Sequence, residues 1–196
     1  KKAVDIAVGT AKAVQGEVKG AMAQSSKYSF SFGRDVDKYI KEASIKYGID
    51  EKILRGFVKM EAGWTGKMSP TGAIGTGQFI QKTWNGLAKT QDGKDIGMTK
   101  IDKSNFRKSN DPRYNKRVNT LATGLLAKQN ADILKKYGIP LTGENLYLAH
   151  NIGAVTFAKA LKGKGANSDG LRAMRQNGMK KSETPRQFVK RQAAIY

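Results

Sequence analysis

Apolar residues recur at helical spacing in several stretches of the chain, separated by glycines, prolines and polar runs. The clearest begins at Asp50, which stands where an N-cap would. Ile53, Leu54, Phe57, Val58 and Met60 then form an apolar face that carries Glu61 to the helix end. Upstream, residues 34–48 predict a helix with Val36, Tyr39, Ile40 and Ala43 inward and Gly48 as its stop. Downstream, a helix is expected over 81–89. A long one runs over 113–137 through Val118, Leu121, Leu125, Leu126, Ile133 and Leu134, and ends at Gly138 and Pro140. Two shorter helices, 142–150 and 154–161, meet at 151–153, and a final helix covers 185–195. Residues 90–110 mix Lys, Asp and Gly and read as a long surface loop, and 162–181 as a basic loop region around Leu171 and Met174. Strand signal is slight and no repeat is present, so the expected architecture is mainly α with a minor β element.

Residues 1–33 differ from the rest. Small apolar positions (Val4, Ala7, Val8, Ala11, Val14, Val18, Ala21, Met22) fit a narrow helical stripe, weakened by Gly9, Gly16 and Gly20, and 25–33 reads as a loop. The stripe suits docking on a partner chain or a membrane, or a linker from an upstream domain, and the linker is the preferred reading. The division expected is thus 1–33 as helix or linker and 34–196 as the working domain. The chain starts with Lys, which reads as a processed protein or a piece of a longer one, and no signal peptide is visible.

Composition narrows the classes. Hydrophobic content of 39% argues against disorder, and no apolar run is long enough to span a membrane. Without Cys there are no disulfides or thiolate ligands, and a single His makes a protein metal cage an unlikely design, so no metal or cofactor is expected. A net charge of +20 draws the protein to polyanions such as nucleic acid, anionic lipid or bacterial cell wall, with an attraction that salt weakens. A solvated basic surface accounts for the charge equally well.

The candidate chemistry gathers in 50–84. Glu61 stands alone, since no Asp or Glu follows until Asp92. A glycosidase normally flanks the scissile bond with two carboxylates, so either the second comes from a distant segment or the reaction needs one. Glu61 reads as a general acid that later acts as a base, which requires a raised pKa of the kind burial beside Met60, Trp64 or Phe79 would supply. It reads equally as an ordinary helix-end Glu. The glycines at 72, 75 and 77 let backbone approach a ligand. Gln78 can donate to and accept from hydroxyls and acetamides, and Phe79 and Trp84 offer ring faces, though both suit a core and Trp84 suits it better. Ser69 is expected to fix the loop, with no Asp–His pair nearby to activate it.

Four blocks in order carry a resemblance. They are Glu61 with Ser69-Pro70-Thr71-Gly72-Ala73-Ile74-Gly75 and Gln78; Asp111-Pro112-Arg113 opening a long helix; Leu146-Tyr147-Leu148-Ala149-His150-Asn151-Ile152-Gly153; and Glu183-Thr184-Pro185-Arg186-Gln187-Phe188-Val189. Together they resemble the soluble lytic transglycosylase family (related to goose-type lysozymes), and their wording is closer to bacteriophage members than to bacterial ones. The likeness spans roughly residues 36–190.

The resemblance implies an α+β lysozyme-like fold, a helical bundle with a small β-hairpin within 66–79 near an active-site cleft. It also implies cleavage of the β-1,4 bond between N-acetylmuramic acid and N-acetylglucosamine in peptidoglycan. In that chemistry the sugar's own acetamide and 6-hydroxyl yield a 1,6-anhydro end, so a single Glu suffices. Glu61 would be catalytic. Ser69, Gln78, Phe79, Tyr147, His150, Asn151 and Phe188 would be substrate-side, with His150 standing where relatives carry Tyr and able to hydrogen-bond Glu61. Departures are Ala62 for the usual Ser, Ile152 and Ala154 in the Asn-Ala-Gly segment, and Phe188 for Tyr. The implied setting is a phage virion opening the wall for DNA entry, with other virion proteins as partners of 1–33, or an endolysin in the host periplasm. The alternatives are a hydrolytic lysozyme drawing a second carboxylate (Asp92, Asp95 or Asp102) from 90–110, and a basic nucleic-acid- or wall-binding module without activity. Against nucleic acid, no helix-turn-helix spacing or basic–aromatic interleaving is seen.

Overall fold

The computed structural model describes residues 31–195 except 62, 66, 67, 70 and 71. The stripe expected along 4–22 lies outside the described residues. Among these, the chain forms nine α-helices and no strand. They are α1 (Arg34–Tyr47), α2 (Glu51–Glu61), α3 (Gln81–Ala88), α4 (Gln91–Asp95), α5 (Lys116–Lys136), α6 (Gly143–Ile152), α7 (Ala154–Leu161), α8 (Ser168–Gln176) and α9 (Pro185–Ile195), with 3-10 turns at Gly63–Thr65 and Pro112–Tyr114. Contacts divide them into two units, 31–126 and 127–195.

In the first unit α1 packs on α2. Gly48 ends α1 in the left-handed conformation at φ 65°, its N–H bonded to the Ser44 carbonyl, and Asp50 Oδ1 accepts from the Lys52 N–H to start α2. Ile53, Leu54, Phe57 and Val58 are buried as their spacing requires, whereas Met60 is 39% exposed and leaves the face assigned to it. Asp37 ties the two helices. It accepts from the Phe32 N–H and the Ser31 hydroxyl, and Arg55 Nη1 lies 3.2 Å from Oδ1.

Residues 90–110 are only in part the surface loop expected: 102–110 are irregular and mostly exposed, but a short helix and buried residues precede them. Thr90 caps α4 by accepting from the Gly93 N–H, and Ile96, Met98 and Ile101 are buried. The 99–101 backbone is held by side chains of α3: Trp84 Nε1 donates to the Thr99 carbonyl at 2.8 Å, and the Asn85 amide makes two bonds to Ile101, at 2.8 and 2.9 Å. Polar composition concealed this, because three apolar residues spaced irregularly along a polar run carry no period to read. Likewise Asp111-Pro112-Arg113 does not open the long helix. It forms its own 3-10 turn, Asn115 is extended, and α5 begins at Lys116. From Val118 to Leu125 α5 is buried on all sides, and beyond Leu125 buried and half-buried positions alternate.

The expected β-hairpin is absent among the described residues. Its place is taken by one antiparallel bridge, Ile74 to Phe79, closed by two N–H···O bonds of 3.1 Å. No ladder grows from it because the flanking groups are already engaged. The Ala73 N–H donates to Ser69 Oγ, and the Gly72 and Phe79 carbonyls accept from Arg113.

In the second unit α6 packs on α7 and α8, and α9 packs on α6, α7 and α8. Thr142 caps α6 by accepting from the Asn145 N–H. The basic stretch 162–181 contains α8, whose cap Asn167 accepts from the Gly170 N–H and whose Met174 is fully buried. A cap and packing against α6 and α9 make a helix where charge suggested a loop. No helix among the described residues is long and apolar enough to cross a membrane.

Candidate active site

Glu61 is the last residue of α2, half-buried, with Oε1 shielded from solvent. The chain then turns through Gly63–Thr65 and is pressed against the Gly75–Gln78 turn. A Cβ on Gly63 would lie 1.7 Å from the Gly75 carbonyl oxygen and 2.5 Å from Gln78 Nε2. Only a glycine permits this approach, and it brings Gln78 beside the end of the helix that carries Glu61.

Gln78 holds left-handed backbone at φ 50°. Its N–H and its Nε2 both donate to the Gly75 carbonyl, at 3.0 and 2.9 Å. The side chain is thereby clamped with its amide carbonyl left for a donor from outside. Ser69 fixes the preceding turn: its hydroxyl accepts from the Ala73 N–H, and its carbonyl accepts from the Gly72 N–H.

Beneath the turn lies a buried polar frame that the sequence reading missed. Arg113 and Asp111 form a fully buried ion pair at 2.7 Å, and Arg113 Nη1 donates to the Gly72 and Phe79 carbonyls at 3.2 and 2.9 Å. Burial acts to raise the Asp111 pKa. The bonds from Arg113 and from the Arg107 and Arg113 N–H groups outweigh it and hold the carboxyl below its usual range. On α5, Asn119 spends its whole amide on the turn and its neighbours. Nδ2 donates to the Ile74 and Arg113 carbonyls, and Oδ1 accepts from the Gly77 N–H at 2.9 Å and from Thr76 Oγ1. Thr76 and Thr120 hydroxyls meet at 2.8 Å. The signal was present as Asn119, Thr120 and Thr123, polar at helical spacing inside an apolar run.

Two stacking assignments are corrected. Phe79 is 2% exposed, edge-on to Trp84 at 5.4 Å, and Phe188 is fully buried, so neither offers a ring face. An interior ring earns more from complete burial than from half-exposure on a pocket wall. Trp64, three residues after Glu61, is half-buried and keeps some accessible surface, its ring edge-on to Phe32 at 5.5 Å.

Tyr147, His150 and Asn151 lie in the second unit. They stand at i, i+3 and i+4 of α6, all half-buried, while Leu146, Ala149 and Ile152 fill the opposite positions. Around Phe188, Glu183 binds Arg191 through both oxygens at 2.7 Å, and Arg191's fork holds its carboxyl down at about 2. Among the described residues no cluster of His, Cys, Asp or Glu is placed to hold a metal ion. No protein-family model matches the chain, and no solved structure matches it significantly.

Proposed function

We propose that the chain is a peptidoglycan-cleaving lytic transglycosylase of phage type with a lysozyme-like helical fold, acting on the β-1,4 bond after N-acetylmuramic acid. The observation that carries the reading is the close packing of Gly63 on Gly75 and Gln78, which sets a clamped amide beside the helix end bearing a half-buried carboxylic acid.

In this reading Glu61 donates its proton to the glycosidic oxygen as the C1–O bond breaks, while the sugar's acetamide oxygen bonds to C1. The Glu61 carboxylate then takes the proton of the C6 hydroxyl, whose oxygen displaces the acetamide from C1 and closes the 1,6-anhydro ring. Gln78 accepts from the acetamide N–H and orients it. Trp64 replaces Phe79 as the aromatic surface. Tyr147, His150 and Asn151 belong to the proposal through their sequence motif alone. Virion delivery, partner proteins for 1–33 and a periplasmic site of action belong to the same proposal.

A lysozyme-type hydrolysis is less well supported. Asp92 and Asp95 sit on α4, Asp95 accepting from Gln91, and Asp102 Oδ1 accepts from the Ser104 N–H and hydroxyl. The test is mass spectrometry of fragments released from Gram-negative peptidoglycan by the wild type and Glu61→Gln. Anhydro ends, lacking one water, are expected from the wild type, with turnover reduced at least about a thousandfold in the variant and its melting temperature kept. Reducing ends would make the enzyme a hydrolase. Undiminished turnover by Glu61→Gln would remove Glu61 from the chemistry.

A further inference from the structure

Two non-glycine residues among those described hold left-handed backbone, Gln78 at φ 50° and Arg107 at φ 57°. For a side chain with a Cβ this conformation is costly and persists only where its surroundings impose it. Both residues border the same turn. Arg107 is held by Asp111, whose Oδ2 accepts from the Arg107 N–H at 2.9 Å. Its guanidinium lies over the Phe106 ring at 4.8 Å and against the backbone of Gly72, where a Cβ would come within 2.1 Å of Nη2.

The guanidinium is exposed, and no carboxylate among the described residues pairs with it. Asp111, which accepts from the Arg107 N–H, is committed to Arg113. Asp102, on the same turn, is engaged by Ser104. A stacked, oriented and unpaired arginine presents two parallel donors, the geometry that recognises a carboxylate.

We propose that Arg107 is a specificity-determining residue that binds a carboxylate of the wall polymer as the glycan lies along the Gly72–Gln78 turn. The inference rests on the wall-glycan reading above and adds a preference for carboxylated over neutral glycan. The carboxylate has two sources, the lactyl group of bare muramic acid and the stem peptide attached to it.

Binding of the full chain to insoluble peptidoglycan tests this, on native wall and on wall whose carboxyls have been converted to amides. On native wall Arg107→Gln is expected to bind about tenfold more weakly, and Arg107→Lys to recover little, because an ammonium lacks the two-pronged fork. Lys108→Gln, which removes the same charge at the next residue, should stay within about twofold of wild type. On amidated wall all four proteins should bind alike. Removal of stem peptides separates the sources: a penalty that vanishes assigns the stem, and one that persists assigns the lactyl group. Arg107→Gly relieves the backbone and should melt no lower than wild type while binding as weakly as Arg107→Gln, which excludes unfolding as the cause. Equal weakening by Lys108→Gln and Arg107→Gln, or an undiminished Arg107→Gln penalty on amidated wall, overturns the assignment. Fragment release is recorded in parallel. Its absence would sink the glycosidase reading, while the binding contrast still decides the role of Arg107.

Discussion

At the scale of single residues the site depends on atoms that are missing as much as on those present. Gly63 lies where any side chain would strike the Gly75 carbonyl, a backbone atom with no rotamer to yield. Gly63→Ala should therefore cost about 2 kcal/mol or more, in the range of strained or overpacked core changes. It should also displace Gln78 from the end of α2. Urea unfolding checks the first consequence and wall binding the second; a variant as stable and as tightly bound as wild type would show that the contact is not tight in solution. Arg113 makes the complementary point. Its charge is carried into the interior only because Asp111 and two backbone carbonyls satisfy it. An Asp-Pro-Arg motif that reads as the start of a helix is instead the floor of the turn.

At the scale of elements, the block over 183–189 contains helix punctuation. Thr184-Pro185-Arg186-Gln187 is a capping box: the Gln187 N–H donates to Thr184 Oγ1 at 3.2 Å, and Gln187 Oε1 accepts from the Thr184 N–H at 2.9 Å. Pro185 occupies the first helical position, where its missing N–H costs nothing. Glu183 accepts from the Lys180 N–H and clasps Arg191 two turns along α9. Thr184→Ala should lower stability by about 1 kcal/mol through the lost cap, and Gln187→Ala by a similar or smaller amount, with specific activity per folded molecule unchanged. Activity loss exceeding the unfolded fraction would return this block to the substrate side. Helix α5 shows the other use of polar residues in an element. Asn119 sits in its buried stretch and bonds backbone groups of the Gly-rich turn that no ladder satisfies, while Thr120 meets the Thr76 hydroxyl and Thr123 donates back to the Asn119 carbonyl of its own helix.

For the whole molecule the titrations set a stability window. Asp37 and Asp111 are buried enough to raise their pKa, but hydrogen bonds and arginines hold both below the usual carboxyl value; Glu183 is held at about 2, chiefly by Arg191. Groups depressed on folding contribute stability above their unfolded value, near pH 4, and lose it as pH falls through the folded value. Tyr47 has the opposite sign. Burial, with Asp92, Asp95 and Glu42 adding, pushes its phenol up to about 12. Its contribution is complete below about pH 10 and is lost as pH rises from there to 12. Unfolding free energy should thus be level between about pH 5 and 9 and fall on both sides. Tyr47→Phe should remove part of the alkaline limb, and, because the hydroxyl is buried without a partner, cost little at neutral pH. An alkaline limb identical in the variant would assign that loss to other groups.

The sequence alone determined what depends on nearest neighbours along the chain. It placed α1, α2, α3, α6, α7 and α9 within a residue or two, because apolar spacing, caps and stop glycines act within one or two turns. It singled out Glu61 at a helix end, Ser69 as a loop-fixing residue and Trp84 as core. It did not disclose α4 or α8, where a short helix depends on one cap and one or two buried contacts. Tertiary structure decided how each backbone group near the turn is satisfied. Arg113 and Asn119, some 40 residues away in sequence, consume the bonds a hairpin would need. It also buried Phe79 and Phe188 in place of exposing them, and left Trp64 half-buried and Arg107 exposed. A ring or a guanidinium looks alike in sequence whether it packs inward or outward. The direction follows from the space and the partners that distant segments provide.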